Sequence, residues 1–273
     1  MRKELMVEAL CWETQSKIHV SYAEKDRRLS CFCPDEHCLV RVYPKTIKNT
    51  FFYAEEGHVT GCPNEAESHS DPLQPGEAKP KPSILPPTPI PNCLGMPPRP
   101  QRRIPPSKEQ LIALSRTAKA SRPLYPATMS KIVDTWFKIP ETEREAHSLT
   151  INDHQWNYKS AFTYIRYLQN DINILDCENH IIYGDATVSR GKHYYFLSSI
   201  KRFLFNGESL PLRFDVPIRN PCLNNLADYV GQQVLFFWRG VIPAINAKHT
   251  AYQFLQPDDT NLRGLIIHPS QSK

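Results

Sequence analysis

The stretch DPLQPGEAKPKPSILPPTPIPNCLGMPPRPQRRIPP constrains this chain more than any other feature. It holds about half of the 25 prolines. Proline fixes φ and removes an amide donor, so neither helix nor sheet propagates through such a run. The stretch reads as a semi-rigid tether spanning 69–106. Its basic end, RPQRR, can meet phosphates or simply be solvated. The tether divides the 273 residues into a front module, 1–68, and a back module, 107–273. At 40% hydrophobic and 22% charged residues, both have the composition of folded protein. The formal charge of +5 permits a nucleic-acid partner without requiring one.

The front module concentrates cysteine. Cys31, Cys33 and Cys38 lie in CFCPDEHC, and Cys62 closes HVTGC; Cys11, Cys93, Cys177 and Cys222 are scattered. A disulfide knot, a metal site and a reactive thiol are the ordinary readings. The N-terminal apolar run is broken by Glu4 and Glu8, unlike a signal sequence. No run approaches the roughly 18 apolar residues of a membrane span. A cytoplasmic protein without membrane contact is therefore expected, and thiols stay reduced there. One cluster beside scattered single cysteines matches a metal site.

Zn²⁺ takes four tetrahedral ligands, usually thiolate and imidazole. Cys33 and Cys38 supply one pair, and His58 and Cys62 the second. Cys31 can replace Cys33, and His37 is another spare, so this choice stays open at the level of sequence. ELMVEALCWE, KIHVSYAE, LVRVYPK and NTFFYAEE read as short strands, with CFCPDEHC joining two of them. A β module this small is marginal without a staple. Structural Zn²⁺ contributes an apparent folding free energy of about 10–16 kcal/mol in finger peptides. A catalytic zinc needs an open position and a base. Glu36 and Glu55 are the nearby carboxylates, and neither sits in a deaminase-type H-x-E pattern. A redox thiol cluster is the remaining reading.

ALCWETQSKIHVSYAEKDRRLSCFCPDEHCLVRVYPKTIKNTFFYAEEGHVTGC resembles the amino-terminal zinc-finger-like region of competence protein CoiA-like proteins. The resemblance covers about the first quarter of the chain and implies Cys33, Cys38, His58 and Cys62 as ligands. The spacing in CPDEHC is wider than that family's usual C-x-x-C. FFYAEE stands where the family often has a His-Phe-x-His run. Family members often carry a restriction-like nuclease domain with an E-x-K triad. The back module offers Asp176, Glu178 and Asp185 but no E-x-K on a strand, and Asp185 reads as a turn residue after Gly184. The nuclease activity is not carried over.

In the back module, Ser107 reads as the N-cap of a helix bearing Leu111, Ile112, Leu114 and Ala118. ATMSKIVDTWFKI suggests a second helix and NYKSAFTYIRYLQ a third. The period then changes to that of strands: HIIYGDATVS, KHYYFLSSIKRFLF, a turn at Asn206-Gly207, and SLPLRFDVPI. PCLNNLADYVGQ suggests a short helix ended by Gly231. QVLFFWRGVIPAI, AYQFLQ and RGLIIHP are the closing strands. The β-β-β-α-β-β order over about 179–269 is that of an OB-like barrel, which would bury Ile182, Phe196, Leu235 and Phe237. The expected fold class is α+β: a small zinc-stapled β module, a Pro-rich linker, and short helices leading into an OB-like barrel.

OB barrels stack bases on aromatic rings and line the groove with cations. The candidates are His193, Tyr195, Lys201, Arg202, Arg213, Trp238 and Arg239, with Tyr194 beside them and Lys248 and His249 on a rim loop. Alternate residues of any strand face a core, so about half of such rings pack inward. Ten glycines, with no phosphate-cradling loop and no nucleophile–base pairing, speak against nucleotide-driven chemistry. The expected function is non-catalytic binding of nucleic acid, single-stranded DNA or RNA. The CoiA-like resemblance implies bacterial DNA uptake, mobile-element or phage-defence biology. The alternatives are an adaptor that docks a partner protein and a CoiA-like nuclease.

Overall fold

The computed structural model describes residues 4–65, 86–95, 104–219, 226–253, 262 and 264–270. It is mixed α+β, mostly sheet. The chain forms two units, Met1–Ala127 and Thr128–Lys273. The RPQRR end of the tether, Cys222 and the start of the helix expected at PCLNNLADYVGQ lie outside the described residues.

The front unit is built on a five-stranded sheet of β1 (Glu8–Cys11), β2 (Ser16–His19), β3 (Cys31–Phe32), β4 (Arg41–Thr46) and β5 (Thr50–Tyr53), ordered β2-β1-β3-β4-β5. Neighbouring strands are antiparallel. Strand parity gives the sheet two apolar faces. On one, Cys11, Cys31, Val42 and Phe52 pack with Tyr22 and Ala23 of the short helix α1 (Val20–Lys25). On the other, Leu10 packs with Leu39, Phe32 at its rim, beneath Leu111, Leu114 and Ala118.

Those last three residues come from α2 (Lys108–Ala118), introduced by β6 (Cys93–Leu94). Ser107 caps α2 as expected: its side chain accepts from the Gln110 amide, and the Gln110 side chain accepts from the Ser107 amide. The grouping differs from the composition-based division. This first helix packs with the front unit because its apolar stripe covers Leu10 and Trp12. The described part of the tether is also not free of sheet pairing. Cys93 and Leu94 pair in parallel with β7 (Pro126–Ala127), and the Asn92 side chain bonds Pro123 and Tyr125. Between the prolines, a few residues with free amides thus form a strand pair.

The back unit begins with α3 (Met129–Lys138), capped by Thr128. A hairpin of β8 (Ser148–Ile151) and β9 (His154–Asn157) follows. The third expected helix is instead a strand, β10 (Phe162–Tyr164), running into a single 3₁₀ turn at Ile165–Tyr167. The Asn157 side chain accepts from the amides of Lys159 and Ser160, which turns the chain there. The aromatic and β-branched run Phe162–Ile165 then suits a strand better than a helix.

β11 (Ile181–Arg190), β12 (Tyr194–Phe205) and β13 (Glu208–Pro217) form the expected meander. Asn206 and Gly207 turn it at φ of 50° and 82°. A 3₁₀ turn at 226–229 stands within the expected helix. Then come β14 (Gln233–Trp238), β15 (Ala244–Ile245), β16 (Tyr252–Gln253) and β17 (Leu265–Pro269). The order is β15-β16-β13-β12-β11-β14-β17, with β10 beside β11. Among the described residues the sheet is not closed. β13 pairs with β16 at Leu212 and Tyr252, so the barrel closure expected from strand order is not met.

Inward parity falls on Leu197, Phe214, Val234, Phe236 and Trp238. Ile182 and Phe237 are buried as expected, whereas Phe196 and Leu235 lie on the outer face and are only half-buried. Phe237 is buried from the other side, where Trp136 of α3 meets it at 5.6 Å between ring centroids.

Gly264 sits against the strand end of β14. A Cβ there lies 2.1 Å from the Arg239 carbonyl oxygen, a backbone atom that no rotamer change can move. Gly264→Ala is expected to cost about 1–3 kcal/mol, the range of core overpacking. A urea unfolding midpoint for the back unit measures it, and an unchanged midpoint would contradict the packing.

Candidate functional site

The metal-ligand candidates converge. One donor atom from each of Cys33, Cys38, His58 and Cys62 lies within 4.8 Å of all the others. The Cys33 and Cys62 sulfurs are 3.7 Å apart, and the His58 Nδ1 lies 3.4 Å from the Cys38 sulfur and 3.8 Å from the Cys62 sulfur. A tetrahedral zinc with bonds of about 2.3 Å to sulfur and about 2.0 Å to nitrogen places its ligands roughly 3.5–3.8 Å apart. These three separations are close to the edge lengths of such a tetrahedron.

Local sequence builds each half. Cys33 follows β3 and its amide donates to the Val40 carbonyl at 2.9 Å. Between them Asp35 turns the chain. Its carbonyl accepts from Cys38 and Leu39, and its side chain accepts from His37. Leu39 takes a φ of 49° to close the knuckle. The second half follows β5, where Gly57 and Gly61, at φ of 79° and 84°, bend the loop that carries His58 and Cys62.

Three of the four side chains are buried and His58 is half-buried. Burial pushes the Cys33 and Cys62 thiols up. Asn64 opposes this. Its amide reaches the Cys62 sulfur at 3.3 Å and its side-chain nitrogen reaches the Cys33 sulfur at the same distance. Donors aimed at sulfur favour thiolate, as the outer shell of a metal site does. Asn64 was not singled out from sequence; its place two residues after Cys62 is the available signal.

The spares do not join. Cys31 lies opposite Cys11 across β1 and β3, in the core beneath α1. A hydrogen bond from the Cys31 thiol holds the Cys11 pKa down and its own up. His37 points to solvent, its side chain 87% exposed. The alternative between Cys31 and Cys33 resolves to Cys33. Glu36 is bound to Arg116 at 2.9 Å and not to the cluster.

The residues expected to contact nucleic acid do not form one surface. Trp238 and Tyr195 are corrected to core positions: both follow the inward parity of their strands, and the Trp238 ring lies 5.6 Å from Phe214. Arg213 bonds Asp215 and Gln253 and lies over the Phe196 ring. Arg239 donates to the Glu178 carbonyl and the Asn152 side chain, and burial lowers its pKa. The Lys201 ammonium reaches the Leu168 carbonyl and the Asn170 side chain. Arg202 and His193 are exposed, the former donating to the Ser209 carbonyl. Lys248 and His249 lie in a tight turn closed by Asn246 and Thr250.

The three acidic candidates separate in role. Asp185 is not a turn residue. It lies within β11 opposite Leu235, where the Tyr164 hydroxyl donates to it. Asp176 is held by Asn179 and His180. No helix among the described residues is long and apolar enough to cross a membrane. No protein-family model, curated protein or solved structure matches the chain.

The cluster predicts a selective mutational pattern. Cys33→Ser, Cys38→Ser and Cys62→Ser are each expected to abolish stoichiometric metal in the purified protein, whereas Cys31→Ser retains it. Elemental analysis reads this, and retention of metal by Cys38→Ser would remove the site. Because the buried thiols must lose protons to bind, metal loading falls as pH is lowered.

Proposed function

We propose that this chain is a non-catalytic nucleic-acid-binding protein whose front unit is held together by zinc. The observation that carries the reading is the convergence of three sulfurs and one imidazole nitrogen, all within 4.8 Å of one another. Soft thiolate ligands with one imidazole favour zinc over Mg²⁺, Ca²⁺ or Mn²⁺. Four protein donors fill the coordination shell, which supports a structural ion with no open position for substrate. Cys33, Cys38, His58 and Cys62 would hold it.

For the ligand, the net charge of +5 and exposed cations support a polyanion. The sequence of strands β13-β12-β11-β14-β17 supports an OB-like scaffold for the back unit, a fold that takes single strands. Single-stranded DNA is the ligand proposed first. The CoiA-like resemblance supports a cytoplasmic setting in bacterial DNA uptake, mobile-element or phage-defence biology.

A second reading has its own observation. Ile200 and Leu204 on β12 are about half exposed, 50% and 51%, and flank Arg202. An apolar pair on a strand suits a protein partner, so the adaptor remains the alternative. Titrating a labelled oligonucleotide against salt separates the two. The expected result is measurable binding at low salt that falls steeply as salt rises. Absence of binding at low salt would leave the adaptor. Mg²⁺-dependent cleavage that persists through purification would instead restore a nuclease.

A further inference from the structure

The hairpin β4–β5 presents a face that the core does not use. Its inward residues, Val42 and Phe52, are buried under α1. Its outward residues alternate between cations and rings: Arg41, Tyr43 and Lys45 on β4, Phe51 and Tyr53 on β5. Tyr43 stands opposite Tyr53, and Lys45 opposite Phe51. Helix α2 covers the same sheet face at Phe32 and Leu10, one and two strands further in from β4. Tyr43 and Tyr53 are left 38% and 39% exposed.

The rings and cations are arranged together. The Arg41 guanidinium lies 5.3 Å from the Tyr43 ring centroid and the Lys45 ammonium 4.4 Å from that of Tyr53. Among the described residues, neither cation forms an ion pair with an acidic side chain. The hairpin from 41 to 53 contains no acidic residue, and Lys48 at its turn adds a third cation. Glu24 of α1 meets the hairpin from its opposite face, accepting from the Thr46 and Thr50 hydroxyls. The nearest acids beyond the hairpin in sequence are Glu55 and Glu56.

We propose that this face holds single-stranded nucleic acid, with phosphates on Arg41 and Lys45 and bases against Tyr43 and Tyr53. The proposal rests on the nucleic-acid reading above and places it on the metal-held unit. Three observations select the occupant. Arg41 and Lys45 are four residues apart on one strand, roughly 13 Å, so one ligand engaging both is extended rather than a small anion. Unpaired positive charge calls for a polyanion. Rings interleaved with those charges offer stacking surfaces to bases, which an acidic peptide lacks. A Lys or Arg resting on an exposed ring is weakly held, so it can swing to a phosphate and uncover the ring.

The test uses the full chain, a labelled oligothymidylate and fluorescence anisotropy across a salt series. Arg41→Gln with Lys45→Gln is expected to weaken binding at least about tenfold and to reduce the salt slope by about 1.4, two single-strand phosphate contacts. Tyr53→Leu is expected to weaken binding about fivefold or more with the slope unchanged. Lys138→Gln, at an exposed position of α3 on the other unit, stays within about twofold of the parent protein. Metal content and circular dichroism report folding. Should the double variant misfold, Lys45→Gln alone at its exposed position shows half of the slope change. A double variant that binds with the parent's affinity and slope overturns this surface and leaves the nucleic-acid reading standing. A parent protein that does not bind at low salt overturns both. Competition by polyglutamate as strong as by oligonucleotide assigns the face to an acidic protein segment instead.

Discussion

Three sulfurs and one imidazole converge at one point of the front unit, where two loops leaving its sheet meet. Cys33 and Cys38 lie in the loop from β3 to β4, and His58 and Cys62 in the loop leaving β5. In the sheet, β3 and β5 are not neighbours; β4 lies between them. An ion held by both loops therefore ties three strands at one end, which the hairpin hydrogen bonds alone do not do. Without it, the buried sulfurs would face one another at 3.7 Å as neutral thiols, weak hydrogen-bonding groups that contribute little cohesion.

Helix α2 links that site to the hydrophobic core. Its apolar stripe covers Leu10 and Leu39, and Leu39 directly follows Cys38 of the cluster. From the same helix, the Ser115 hydroxyl donates to the Pro34 carbonyl at 2.7 Å, and Arg116 pairs with Glu36. The ion pair is largely exposed and contributes little. The Ser115 bond is the stronger anchor, because Ser115 is buried and its hydroxyl has few other ways to be satisfied. Knuckle and core thus share a helix, so the geometry of the donors depends on packing well outside the two loops.

What the sequence made legible follows how local the determining physics is. The Ser107 cap, the Asn206-Gly207 turn and the paired Cys/His spacings are each specified within a few residues, and each stands where the sequence places it. Strand parity is less local. Tyr195 and Trp238 carry amphipathic rings suited to either face; the neighbours Leu197, Phe236 and Val234 turn them inward. The segment Phe162–Ile165 has apolar residues at helical spacing, yet an Asn157 turn and a parallel partner in β11 make it a strand. That partner lies far along the chain and cannot be read from the segment itself. Likewise, Cys31 lies opposite Cys11 in the core while Cys33 stands in the cluster, a difference set by a cross-strand neighbour.

The distribution of the cations bears on where a polyanion meets this protein. Arg213 holds two partners and a ring, and Arg239 is partly buried against a carbonyl and an amide. Recruiting either to a phosphate means breaking charge-assisted bonds, each worth about 1.5–3 kcal/mol, and leaving their acceptors unsatisfied. Arg41 and Lys45 rest on exposed rings instead. Releasing them breaks weaker contacts and leaves no buried acceptor behind. Net charge says how many cations a chain carries, whereas their existing partners decide which ones a ligand can have. By that measure Arg213 and Arg239 serve the back unit's own structure, whereas Arg41 and Lys45 on the β4–β5 hairpin are free to meet a ligand.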